Sequence, residues 1–310
     1  MEKSGIKTIE ECFEEYITEC KYARGLRPAT LKGYIECFRN FVSLMPELKE
    51  TNDLCPNSLT VFYQRLNLRQ RRGKVGVKNS TLHTYYTKLM IFFRWLEERS
   101  YLVNGFLTNK ILKPTAPTYE DEKALTPEEV SAILSSIFLL NIDNDFLFAR
   151  DMLIIQILLY TGIRKGELLG LRVSDIDLSS NSILINGKTS KSKRGRFIPM
   201  HPNLVQYLKS YLLICSELKF LNQYLLISRR GTTLTEYGLK HWVERYRKAS
   251  GIPLHIHRFR HTFACELAKK NADIISIRNV LGHSSLKMTE RYLRSIKPES
   301  SRTFINSLTF

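Results

Sequence analysis

Apolar positions along the first hundred residues recur at helical spacing. Thr8, Ile9, Glu10 and Glu11 form a capping-box start, and Phe13, Tyr16 and Ile17 mark one face behind it. Pro28 opens a second run, with Leu31, Tyr34, Ile35, Phe38 and Val42 on one side. A shorter third helix is predicted after Pro56, through Leu59, Phe62 and Leu66. Ser80 begins a fourth, carrying Leu82, Tyr85, Tyr86, Leu89, Phe92, Phe93 and Leu96. Together these runs predict a compact four-helix unit.

The pattern then stops. Pro114, Thr115, Ala116, Pro117 and Thr118 resist regular structure and mark a linker. At Leu125 it restarts: Thr126 caps a new helix, Pro127 takes its first turn and Glu129 closes the box. The expected organisation is a helical domain over 1–110, a linker over 111–124, a second domain over 125–299 and a tail over 300–310. In the second domain an apolar helix over 152–160 precedes two short segments, 182–186 and 196–200, which flank a basic turn containing glycine. They predict a hairpin, and Pro199 makes its strand an edge or ends it. Further helices are expected over 202–213, 236–249, 257–270, 273–281 and 285–295. The fold class is therefore mainly α with a small β-hairpin or sheet, in two domains.

Composition narrows the partners. The chain has 310 residues, enough for two ordinary domains, and 47 Lys and Arg against 30 Asp and Glu give a net charge of +17. Such an excess fits a polyanion, nucleic acid first, although it also serves solubility, membrane surfaces or acidic proteins. Six cysteines form no CxxC pair and no cluster, so reduced, mostly buried thiols are expected. The start of the chain is polar, unlike a signal peptide, and the longest apolar run, 152–160, is broken by Gln156. A cytoplasmic protein with no membrane association is expected.

Two basic segments stand out. Between the third and fourth helices lie Arg69, Arg71, Arg72, Lys74 and Lys78 with Gly73 and Gly76. The segment reads as a solvated loop or as a phosphate grip whose glycines let the backbone come close. The hairpin turn carries Lys188, Lys191, Lys193, Arg194 and Arg196. A mobile lysine there can protonate a leaving 5′ oxygen; Lys188, nearest the end of the first strand, is the first choice and Lys191 the second. The other cations, Lys193 and Arg194 among them, fit phosphate contacts. Base reading is expected from the helix after Ser80 and from the helix over 236–249, where Lys240 and Arg247 read bases or touch only phosphates.

Cleaving a phosphodiester requires neutralising its oxygens, supplying a nucleophile and protonating the leaving oxygen. Arginine suits the first task through its planar, permanently charged fork. Arg164 follows the apolar helix at a Thr161-Gly162 break, either as such a group or as a surface arginine paired with Glu167 or Asp175. His257 and Arg260 stand three apart and share a helix face. His255, His257 and His261 raise the thought of zinc, but no cysteine or carboxylate completes a ligand set, so no metal is assigned. His261 is expected to support packing. His283 and Tyr292 close the series. A lone tyrosine is far more often core than nucleophile, and only its company changes that. Attack by a phenol leaves a phosphotyrosine ester, which stores the bond energy, so rejoining needs no ATP or metal.

Taken in order, three boxes resemble the tyrosine recombinase (phage integrase) family: 159–177 around Thr161-Gly162-Ile163-Arg164, 257–264 beginning His257-Arg258-Phe259-Arg260, and Leu281-Gly282-His283 with Tyr292 nine residues on. The resemblance covers nearly the whole chain. It implies a helical (SAM-like) core-binding domain followed by a catalytic domain. It implies that Arg164 and Arg260 clamp the scissile phosphate, Lys188 is the general acid, His257 assists proton transfer and His283 donates to the phosphate. Tyr292 then attacks, leaving a 3′-phosphotyrosine and a free 5′ hydroxyl, with no cofactor. The implied partner is double-stranded DNA with an inverted-repeat site, clamped between the two domains within a homotetramer that acts alone or with a second recombinase or accessory protein. The apolar tail 303–310 would dock on a neighbouring subunit or fold onto its own domain. With helices beginning by residue 8, no room is expected for the arm-binding domain of lambda-type integrases, and the chain is similar to short Xer-type or mobile-element recombinases. The rival readings are an inactive DNA-binding regulator on this fold, a type IB topoisomerase or hairpin telomere resolvase, and a basic RNA-binding protein, for which no RNP-type or GXXG signature is present.

Overall fold

The computed structural model describes residues 7–70, 75–115, 124–187, 195–286 and 289–290. The chain divides into two compact units, Met1–Tyr119 and Glu120–Phe310.

The first unit is built from α1 (Ile9–Tyr22), α2 (Pro28–Leu44), α3 (Ser58–Leu68) and α4 (Asn79–Glu98). The Thr8 hydroxyl accepts from Glu11 N at 3.2 Å and the Glu11 carboxylate accepts from Thr8 N at 3.0 Å, so the capping box forms as written. Aromatic rings fill the core: Phe13 stacks on Phe38 with centroids 3.7 Å apart, and Phe92 meets both edge-on. At the end of α4 the buried Glu97 carboxylate accepts from Leu107 N at 2.8 Å and Thr108 N at 2.9 Å. Burial would raise that carboxyl, yet these bonds and the Thr108 hydroxyl hold it below the usual range. They pull the turns after α4 inward and bury Leu107 and Ile111. The packed unit thus reaches Ile111, the first residue of the expected linker.

The second unit contains α5 (Pro127–Leu140), α6 (Asp145–Thr161), α7 (Lys165–Gly170), β1 (Ile176–Asp177), β2 (Ser182–Ile185), β3 (Arg196–Pro199), α8 (Pro202–Glu217), α9 (Glu236–Ser250), α10 (Ile256–Lys269) and α11 (Ile274–Leu281). The sheet is antiparallel in the order β1-β2-β3, with Ile183 opposite Ile198 and Ile185 opposite Arg196. Pro199 both ends β3 and lies on an edge strand. β1 was not expected; two residues carry no alternation to read. From Ala149 to Leu158 α6 is buried around its whole circumference, and it packs against α8, α10 and α5 at the centre of the unit. Of the helix expected over 285–295, residues 289–290 are helical, 285–286 are not, and the rest lies outside the described residues.

No disulfide joins the six cysteines, of which all but Cys55 are buried. Among the described residues no helix is long and apolar enough to cross a membrane.

Candidate active site

The site begins at two helix ends. α6 stops at Gly162 and α11 at Gly282, both left-handed with φ of 58° and 65°. A Cβ on Gly162 would meet the Phe263 ring at 2.5 Å, and one on Gly282 would meet an Arg196 nitrogen at 2.9 Å, so close packing reinforces the conformational demand. Each glycine carbonyl receives an arginine from a different box. Arg260 Nη1 donates to Gly162 O at 2.8 Å, and Arg164 Nη2 donates to Gly282 O at 3.0 Å. Arg260 Nη2 also donates to Leu281 O at 2.8 Å, and Arg196 Nε to Val280 O at 2.6 Å. Successive carbonyls at the end of α11 therefore accept from three different arginines. Those carbonyls lack intrahelical donors and form the negative end of the helix dipole, which favours cations.

Glu167, on α7, ties the group together. Its fully buried carboxylate accepts from Arg164 Nη1 at 3.0 Å and Arg164 N at 3.0 Å, and from Arg196 at 3.1 and 2.9 Å. Burial alone would raise its carboxyl, but the Arg196 hydrogen bond, the Arg164 amide and both positive charges pull it down to about 2. Arg164 is thus paired with Glu167, as its surface reading required, but its side chain is only 22% exposed. Asp175 instead accepts from Arg172 N.

Arg164, His257 and Arg260 line one open groove of about 800 Å³, together with Lys165, Tyr237 and Lys240. His257 is exposed in the first turn of α10 and Arg260, buried, lies one turn on, as their spacing predicts. His283 lines a second cavity of about 530 Å³ with Arg196 and Gly282, and it connects to the first groove through the Arg164 bond to Gly282. Its Nδ1 lies 2.9 Å from the Thr289 hydroxyl. Burial, then the charges of Arg260, Arg164 and Arg196, push His283 down to about 3, so its ring is neutral near pH 7. His261 is buried, 3.6 Å from the Cys265 sulfur, in a packing position. Between the two site residues of its helix, Arg258 pairs with Glu129 at 2.6 Å and fastens α10 to the start of α5.

Lys188, Lys191, Lys193, Arg194, Arg71, Arg72, Lys74, Tyr292 and the tail 300–310 lie outside the described residues. Lys78 is exposed at the start of α4 in the first unit. Lys240 lines the groove, whereas Arg247, farther along α9, pairs with Glu244 at 2.8 Å. In the sequence Arg196 is one more cation of the turn. A signal for it existed: alternation along β3 puts residue 196 on the same face as buried Ile198.

An open groove lined by guanidinium, ammonium and imidazole groups, with both guanidiniums held on backbone carbonyls, suits the oxygens of a phosphate ester. The sequence profile described as the phage integrase family matches residues 123–299, more than half of the chain, and the chain belongs to that family. It is 28% identical over 308 residues to tyrosine recombinase XerC of Staphylococcus epidermidis, covering 96% of this chain and 97% of that protein. Its fold is similar to that of XerH site-specific recombinase bound to palindromic difH substrate, with a TM-score of 0.72, 22% identity and coverage of 92% of this chain and 81% of that one. It is also similar to the Tn1549 transposon integrase in complex with transposon right end DNA, with a TM-score of 0.71, 20% identity and coverage of 96% and 98%.

Proposed function

We propose that this chain is a site-specific recombinase that cuts and rejoins DNA strands through a 3′-phosphotyrosine on Tyr292. The observation that carries the reading is the cross-bracing of Arg164 and Arg260 by Gly282 and Gly162, with His257 on the same groove. Two charged forks held on fixed carbonyls are preorganised to share the negative charge of one phosphate, and need no rearrangement as charge develops. Tyr292 oxygen attacks phosphorus, the bond to the 5′ oxygen breaks, and Lys188 gives that oxygen its proton. His257 assists proton transfer. His283, neutral, serves as a hydrogen-bond donor to a phosphate oxygen rather than as an acid. Attack by a 5′ hydroxyl on the phosphotyrosine reverses the step and joins a new strand, with no cofactor consumed.

The first unit acts as the core DNA-binding domain and the second as the catalytic domain. Arg71, Arg72, Lys74, Lys78, Lys191, Lys193, Arg194, Lys240 and Arg247 contact phosphates. The substrate is double-stranded DNA with an inverted-repeat site. The working form is a tetramer in which the tail 300–310 reaches a neighbouring subunit, acting alone or with a second recombinase or accessory protein. The place of action is the cytoplasm, on the nucleoid.

The test uses a nicked duplex carrying a site selected from a random pool by binding to the full-length chain. The wild-type protein should trap a covalent DNA adduct in EDTA, and Tyr292→Phe should trap none. Loss of cleavage in EDTA would indicate a metal nuclease. Relaxation of supercoiled plasmid lacking the site would indicate a topoisomerase.

A further inference from the structure

Arg196 opens β3, immediately after the basic turn, and its side chain is 10% exposed. All three nitrogens of its guanidinium are engaged: Nε donates to Val280 O, and Nη1 and Nη2 donate to the two Glu167 oxygens. The Glu167 oxygen that takes Arg196 Nη1 also takes Arg164 Nη1. One carboxylate is therefore shared between two guanidiniums, and the three groups sum to a single positive charge. Without Arg196, Glu167 and Arg164 form a neutral pair, and the carboxylate competes with a phosphate for Arg164. Arg196 also seats the end of α11, and the chain continues through Leu281 to Gly282, which holds Arg164, and His283.

We infer that Arg196 is a positioning residue for strand cleavage. It takes up the charge of Glu167 and fixes the Val280–His283 turn, so that Arg164 and His283 meet the scissile phosphate in one geometry. It does so without touching DNA. The requirement is for the fork: an ammonium is a point charge and cannot span two carboxylate oxygens and a carbonyl at once. This inference rests on the recombinase reading above.

The experiment measures single-turnover cleavage and equilibrium binding on the selected nicked duplex. It compares the full-length wild type, Arg196→Gln, Arg196→Lys, Arg164→Ala and the Arg164→Ala/Arg196→Gln double variant. Arg196→Gln should slow cleavage on the order of 100-fold, the cost of a small misplacement of a reacting group. DNA binding should stay within about twofold, because the residue makes no phosphate contact. Arg196→Lys should remain slow. In the Arg164→Ala background the second substitution should cost no more than about tenfold, well short of its effect alone, because of the two groups it positions only His283 remains. Losses that multiply in the double variant would mean an independent structural role and overturn the inference, as would full activity of Arg196→Lys. Should Arg196→Gln fail to fold, the lysine variant, which keeps the charge, decides the matter by the same criterion. A wild-type adduct with an unchanged Arg196→Gln rate overturns this inference alone; no wild-type adduct overturns the recombinase reading and the inference with it.

Discussion

At Arg260 a permanently charged side chain lies 1% exposed between two backbone carbonyls. Removing a buried partner of this kind leaves polar groups unsatisfied, and removing a preorganised donor weakens the transition state. Arg260→Ala should therefore slow single-turnover cleavage by at least about 100-fold, roughly 3 kcal/mol. It should also lower stability to urea by about 2–4 kcal/mol; a change in only one of the two would contradict the double role. His283 makes a pH prediction. Its folded pKa is lowered from 6.5 to about 3, so below 6.5 the unfolded chain takes a proton that the folded chain refuses. Its contribution is full above that pH and is lost as the pH falls toward 3, by at most about 1.4 kcal/mol per pH unit. Urea midpoints between pH 6.5 and 4.5 should fall more steeply for the wild type than for His283→Asn; equal slopes would contradict the buried neutral ring. Residue type and spacing left Arg164 open between two readings and assigned His283 nothing, whereas the shared helix face of His257 and Arg260 was legible. Arg196 was not, because its partners at Glu167 and Val280 are distant in sequence and only the folded chain brings them to it.

Elements with written ends were the readable ones. Thr126 and Glu129 cap α5 reciprocally, the Thr126 hydroxyl accepting from Glu129 N at 3.2 Å and the Glu129 carboxylate from Thr126 N at 3.0 Å. Thr126→Ala should cost about 1 kcal/mol in a urea titration. α8 shows the converse. It runs to Glu217, past the expected end at 213, and the chain leaves it at Lys219, a non-glycine residue with φ of 55°. No glycine marked that stop, so nothing local announced it. The ends of α6 and α11 carry more than termination, because Gly162 and Gly282 give the left-handed turn and also the carbonyls that hold Arg260 and Arg164. Gly282→Ala should lower stability by about 1–3 kcal/mol through its positive φ and displace Arg196, slowing cleavage as well. A variant equally stable and equally fast would contradict the account of this turn. The sequence pattern named Gly162 as a break and ended the later helix at 281, before Gly282; it held no information on which side chain each carbonyl would receive, since that depends on how α6, α10 and α11 pack.

Across the whole molecule, the net charge of +17 sets the expected response to salt. If six to ten phosphates are neutralised, raising salt from about 50 to about 200 mM should weaken binding by about 10³–10⁵-fold. Replacing Lys240 with Gln should reduce the slope of log affinity against log salt by about one, evenly across sequences. A salt-insensitive complex would remove nucleic acid as the partner of this charge. The two-unit organisation was legible because two periodic stretches are separated by a segment without pattern, although the Glu97 bonds carry the first core as far as Ile111. The proposed chemistry rests on one phenol, that of Tyr292. Tandem mass spectrometry of the protein trapped on the nicked duplex, after protease and nuclease digestion, tests it most directly. The account predicts a nucleotide joined through its 3′ phosphate to Tyr292. A nucleotide on any other residue, or an adduct that persists in Tyr292→Phe, would contradict it.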